Sequence, residues 1–198
     1  MLRFLSTRRL LIVLVILLSW AGGACRPTAR DSVNPPSMSD PSAATASADC
    51  RMVEHAVGST EVCGQPQRIV ALGPYTLEHL LALEVQPIGF SDYAPFHQGD
   101  YNAPSQQVPI LGNRITQPIA NVGLAETPSL EAILKTQPDL IFGTTANAAI
   151  YDALSEIAPT VLIERFNPES SLQMVAKAVD RVEKEDKVLL DADQSLAF

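Results

Sequence analysis

From residue 68 onward, short apolar runs alternate with stretches whose apolar residues recur every three or four positions. Arg68-Ile69-Val70-Ala71-Leu72 has the length of a buried strand and is closed by Gly73-Pro74; Leu77, Leu80 and Leu81 then follow at helical spacing. Pro87-Ile88-Gly89-Phe90 predicts a second strand. A polar, aromatic loop occupies residues 91–107, and residues 108–111 read as a brief extended piece. Thr127 fits a helix N-cap with Pro128 at the first helical position, and Leu130, Ile133 and Leu134 supply that helix with a buried face. Residues 139–143 predict a third strand, 148–158 a helix and 160–163 a fourth strand. A terminal helix over about 170–190 carries Leu172, Val175, Val179, Val182 and Leu189 on one side.

Strands alternating with helices imply a parallel sheet covered on both faces, an α/β fold. In such sheets ligands bind beyond the carboxyl ends of the strands. The loops after Leu72, Phe90, Gly143 and Ile163 are therefore the candidate binding edge.

Upstream the rhythm changes. Residues 51–62 centre on Gly58-Ser59, read as a β-hairpin, and are flanked by Cys50 and Cys63. Residues 26–49 are rich in Pro, Ser, Ala and Thr, a composition that buries too little apolar surface to fold and reads as a tether. At the start, Arg3, Arg8 and Arg9 precede nine uninterrupted apolar residues (10–18), then Ala21-Gly22-Gly23-Ala24 and Cys25. This is the layout of an export signal, with a retained membrane anchor as the alternative; the apolar run is short for spanning a bilayer. Arg8-Arg9 also admits a twin-arginine reading, which the strongly apolar run disfavours. The stretch resembles the lipobox of bacterial lipoproteins, which implies a lipidated Cys25, although Gly22 stands where Leu is usual. Plain cleavage after Ala24 would leave an exported free thiol instead.

In an exported protein Cys50 and Cys63 are expected to form a disulfide, and closing so short a loop is worth roughly 3 kcal/mol. A metal site from Cys50, His55 and Cys63 is the competing reading and lacks a fourth ligand. The chain thus divides into a signal (1–24), a tether (25–49), a disulfide-closed hairpin (50–67), an α/β lobe (68–168) and a terminal helix (169–198).

Charge narrows the function. Removing the three arginines of residues 1–24 leaves 11 basic against 22 acidic side chains, a formal charge of −11. No basic stripe is present to neutralise phosphates, which argues against nucleic-acid partners. The turn after the first strand, Gly73-Pro74-Tyr75-Thr76, has one glycine and a rigid proline, so it lacks a dinucleotide cradle. There is no P-loop and no G-x-S-x-G elbow, and His55, His79 and His97 have no ligand spacing. No cofactor and no catalysis are expected.

The loop after the second strand concentrates chemistry of another kind. Phe90, Tyr93, Phe96 and Tyr101 are four of the nine Phe and Tyr residues beyond the signal, within twelve positions. They suit either a planar or apolar ligand or a loop packed on itself. Arg114 and Arg165 fall in predicted loops near the same edge, where a guanidinium can fork onto an anion; ordinary surface arginines are the alternative.

Several segments in order resemble the amino-terminal lobe of periplasmic iron-siderophore binding proteins. They are Arg68-Ile-Val-Ala-Leu, Leu77-Glu-His-Leu-Leu-Ala-Leu with Pro87-Ile-Gly, Val122-Gly, Pro128-Ser-Leu-Glu-Ala-Ile, Gln137-Pro-Asp-Leu-Ile and Ile157-Ala-Pro-Thr-Val. The resemblance implies a Rossmann-like lobe of a bilobal protein, ending in the long helix between lobes. It implies capture of a ferric siderophore in the periplasm and delivery to an ABC permease, without catalysis. Pro74, Tyr75, Thr76, Ser91, Tyr93, Asn113, Arg114, Thr144 and Asn147 would then face ligand, with Arg165 at the same edge. Glu131 would dock onto permease arginines; an acid near a helix start is also favourable for the helix alone. The family pattern has a second lobe beyond Phe198, so this reading expects a lone lobe that binds weakly, pairs with a second lobe or with itself, or is a non-binding remnant. An exported protein-interaction module is the alternative function.

Overall fold

The computed structural model describes residues 49–196; the signal, Cys25 and nearly all of the tether lie outside the described residues. Cys50–His55 (β1) and Gly58–Cys63 (β2) pair antiparallel, Cys50 opposite Cys63 and His55 opposite Gly58. A disulfide joins Cys50 to Cys63, so neither sulfur is a thiolate and the metal reading for that pair with His55 falls.

The main sheet contains β3 (Ile69–Leu72), β4 (Gly89–Asp92), β5 (Ala120–Leu124), β6 (Leu140–Thr144) and β7 (Thr160–Ile163). Their order is β5-β4-β3-β6-β7, and every pairing is parallel. Strands β3, β6 and β7 are buried at every position, the mark of a sheet covered on both faces. Alternate side chains feed two cores. Ile69, Ala71, Phe90, Leu140, Phe142, Val161 and Ile163 pack with the hairpin's Val53 and Val62 and with Leu77, Leu80 and Val175. Val70, Leu72, Val122 and Ile141 pack with Ile133 and Leu154 on the other face. Each such fully buried aliphatic chain contributes about 1.5–3 kcal/mol.

Six α-helices are present among the described residues: α1 (Pro74–Ala82), α2 (Pro104–Gln107), α3 (Leu130–Thr136), α4 (Tyr151–Ser155), α5 (Pro168–Ala178) and α6 (Val182–Leu196). None is long and apolar enough to cross a membrane.

The sequence expectations differ from this in several places, α2 within the expected loop 91–107 among them. β4 begins and ends two residues later than the run at Pro87 suggests. The piece at 108–111 is a turn between α2 and a 3-10 segment (Gly112–Arg114), with Gly112 against the Pro104 carbonyl, where a Cβ would lie 2.1 Å from the oxygen. Helix α3 is capped by Ser129, whose Oγ accepts from Ala132 N–H at 3.2 Å; Pro128 instead forms an extended bridge with Gly123. The helix at 148–158 is a 3-10 segment (Thr145–Ile150) followed by the short α4. The terminal helix is two helices, broken at Asp180 (φ 56°), where Arg181 N–H closes α5 onto Ala176 O at 2.8 Å. Asp tolerates that left-handed conformation better than most residues. Edge strand β5 had no expectation at all, because only Val122 of its five residues is fully buried.

The hairpin covers the free edge of β7. Ala56 N–H donates to Leu162 O at 3.2 Å, and the Thr60 hydroxyl donates to Thr160 O at 2.7 Å. Because that hydroxyl proton is committed to a carbonyl, Thr60 Oγ accepts from His55 Nε2–H at 2.9 Å. The Tyr151 hydroxyl lies 3.1 Å from the same oxygen. His55 Nδ1 is buried with no partner, and burial holds the imidazole below its ordinary pKa.

Two outcomes follow. Replacing both cysteines with serine should lower unfolding free energy by about 3 kcal/mol in urea titrations; an unchanged midpoint would mean that the docked hairpin alone limits the unfolded chain. His55 binds a proton more readily when unfolded, so stability should be complete above about 6.5, its ordinary pKa, and fall as pH drops below it toward the lower folded value. Melting temperatures from pH 7.5 to 5 should fall less steeply for His55→Gln than for the native chain.

Candidate functional site

Beyond the carboxyl ends of β3, β4 and β7 lies an open cavity of about 450 Å³. Its position follows from local chain chemistry. β3 is followed by Gly73, whose positive φ (107°) makes the turn, and Pro74 then starts α1 with φ already set. Pro74, Tyr75 and Glu78 from α1 line one side. Phe90, Asp92, Tyr93 and Phe96 come from β4 and the loop beyond it, and residues 108–111 come from the turn after α2. Arg165 enters from the loop after β7.

Arg165 sits with its guanidinium carbon 5.0 Å from the centroid of the Tyr93 ring, a cation–π contact worth roughly 0.5–1 kcal/mol at a wet site. Among the described residues it makes no ion pair, so its donors remain available. Asp92 is 5% exposed, and its Oδ1 accepts from Tyr93 N–H at 2.7 Å. Burial pushes its carboxyl above the usual range. The apolar wall is exposed: Ile110 is 95% accessible and held at φ 64°, an unfavourable conformation for a β-branched residue.

Of the ten residues singled out for ligand, the structure brings Pro74, Tyr75, Tyr93 and Arg165 together at this cavity. Thr76 is fully buried and donates to Gly73 O at 2.9 Å, tightening the turn behind Pro74. Ser91 is fully buried in β4, and its hydroxyl has no partner. Thr144 and Asn147 fasten loops to each other. Asn147 Oδ1 accepts from Thr144 N–H at 3.0 Å, and its Nδ2 donates to Ala125 O at 2.7 Å, joining the loops after β6 and β5. Asn113 and Arg114 are not among the residues that line the cavity. Arg114 donates to Leu81 O near the end of α1 at 2.8 Å, and its own carbonyl accepts from Gln86 ahead of β4. Their 3-10 segment lies late in the connection from β4 to β5, past α2, and not directly at a strand's carboxyl end.

Glu78, Asp92 and Ile110 line the cavity without having been singled out. Asp92 was readable as the residue between Ser91 and Tyr93 once β4 is shifted by two positions. Glu131 stands apart, exposed on the first turn of α3 and paired with Lys135 at 2.8 Å, which holds its carboxyl below the usual range.

Residues 69–197 match the periplasmic binding protein family, and the chain belongs to it. Its relatives include the Bacillus subtilis protein named "Probable siderophore-binding lipoprotein YfiY", 34% identical over 155 residues that cover 76% of this chain and 45% of that one. The Fe(3+) dicitrate-binding periplasmic protein FecB of Escherichia coli is 33% identical over 115 residues, 58% of this chain and 35% of FecB. Among solved structures, Staphylococcus aureus SirA complexed with staphyloferrin B aligns with a TM-score of 0.63 and 28% identity, over 74% of this chain and 48% of SirA. The chain spans about half the length or less of these relatives. The α/β lobe with its parallel sheet is thus the fold of bilobal siderophore-binding proteins.

Asn147→Ala should cost about 2 kcal/mol, because it strands a buried N–H and a carbonyl. Asn147→Asp should cost as much, since it keeps the acceptor for Thr144 but faces Ala125 O with a carboxylate. A mild Asn147→Asp phenotype in chemical denaturation would show that the Ala125 contact contributes little.

Proposed function

We propose that this chain is the substrate-binding component of an ABC importer for ferric siderophores, with the described lobe forming one wall of the ligand cleft. The observation that carries the reading is the cavity itself: an unpaired guanidinium stacked on Tyr93, among Tyr75, Phe96 and Ile110, at the carboxyl edge of a parallel sheet. A ferric siderophore presents both oxygen acceptors and apolar or aromatic surface to such a wall. What YfiY, FecB and SirA are named for supports the choice of ligand class. The role is capture and delivery without chemical conversion, on the outer side of the cytoplasmic membrane, with Cys25 as the lipid tether. Glu131, exposed on α3 and away from the cavity, is the docking acid for a permease.

An exported interaction module is the second reading, favoured by the exposed Phe166 (97% accessible) and Ile110 beside the cavity. It predicts that no small molecule is retained.

Native mass spectrometry of the full chain with a panel of ferric siderophores and cobalamin separates the two. A ferric complex should be retained, and Arg165→Ala should weaken it about tenfold, the loss of one charge-assisted contact. Glu131→Ala should leave that affinity unchanged and weaken association with the permease. A folded chain that ignores the whole panel overturns the reading.

A further inference from the structure

The cavity wall has a charge balance that the acidic composition of the chain does not foretell. Among the described residues that line it, Glu78 and Asp92 contribute carboxyl groups, Arg165 contributes the single cation, and the others are apolar or aromatic. Among the described residues, three other arginines are already committed to helix-end carbonyls. The guanidinium of Arg51 is engaged by the carbonyls of Lys177 and Ala178, that of Arg68 by those of Thr136 and Gln137, and that of Arg114 by Leu81 O.

We propose that this wall selects ferric complexes of zero or positive net charge, the hydroxamate class, and rejects trianionic tris-catecholates. The proposal rests on the ferric-siderophore reading above and names the ligand chemistry within it. Three hydroxamates, each singly charged, neutralise ferric iron; three doubly charged catecholates leave a trianion. A trianion brought to this wall gains one guanidinium and meets Glu78 and Asp92, while losing much of its hydration. Desolvation of several charges is repaid only when each finds an opposite partner. A neutral complex avoids that cost. Its iron-bound oxygens can still accept from Arg165, its apolar arms can cover Tyr75, Phe96 and Ile110, and any amide N–H or ammonium it carries finds Glu78 or Asp92 as an acceptor.

Equilibrium dialysis of the full chain against two iron-59-labelled probes of similar size tests this: a neutral ferric tris-hydroxamate and a trianionic ferric tris-catecholate. The hydroxamate should bind at least about tenfold more tightly in low salt, and the gap should narrow as salt screens the repulsion. Glu78→Gln, at an exposed helix position, should narrow the gap several-fold by strengthening only the trianion, and Asp92→Asn should do the same if it folds. Equal or tighter binding of the trianion overturns the charge selection while leaving the ferric-siderophore reading intact. A ratio that Glu78→Gln does not move, with Asp92→Asn equally inert, also overturns it. Retention of neither probe, nor of any other ferric complex, overturns the ferric-siderophore reading itself.

Discussion

Strands β3, β6 and β7 are buried at every one of their positions and, apart from Thr144 and Thr160 at their ends, carry no polar side chain; that constraint arranges the rest of the lobe. A strand with no polar face has to be covered twice, so helices and hairpin pack on both sides, and polar chemistry gathers at the strand ends and in the loops beyond them. Those loops must still satisfy their own backbone. At the carboxyl edge Asn147 does part of this, holding the turns after β5 and β6 to each other through Thr144 and Ala125. A residue that looks like a ligand contact is thereby consumed in fixing the frame on which Tyr93 and Arg165 stand.

What was legible in the sequence tracks how strongly burial dictates residue type. The continuous apolar runs of β3, β6 and β7 and the spacing of Leu77, Leu80 and Leu81 in α1 leave little choice of element. β5 was not legible, because an edge strand with one fully buried side chain needs no apolar pattern, and Asn121 and Gly123 read as loop. Missing β5 had a consequence for the site: it made the segment around Arg114 look like a connection at the binding edge. The break at Asp180 was hidden for a different reason. Nothing in Val179-Asp180-Arg181 forbids a helix, and the chain turns there because Arg181 N–H finds Ala176 O and α6 folds back so that Val188 and Leu189 reach the core.

The hairpin shows how local and long-range terms support each other. Its disulfide restrains the unfolded chain, but its placement depends on polar contacts that reach across the sequence to β7 and to the end of α5. Arg51 donates to Lys177 O and Ala178 O at 2.6 Å and to Gly64 O at 2.7 Å, so one side chain ties the hairpin to a helix terminus. This anchoring blocks the outer edge of β7 from pairing with another chain.

The same chemistry decides which cation is left for a ligand. Helices α1, α3 and α5 each end with carbonyls that have no intrahelical partner, and the negative end of the helix dipole lies there. Arg114 donates at the end of α1, Arg68 at the end of α3 and Arg51 at the end of α5. Those termini lie away from the binding edge, because a helix that starts after a parallel strand runs back along it. Arg165 is different: it follows β7 directly, where the nearest helix end is the start of α5, whose dipole repels a cation. It therefore finds an aromatic face instead of a carbonyl and stays over Tyr93 with its donors uncommitted. Sequence alone ranks Arg114 and Arg165 alike; the direction of the neighbouring helices separates them.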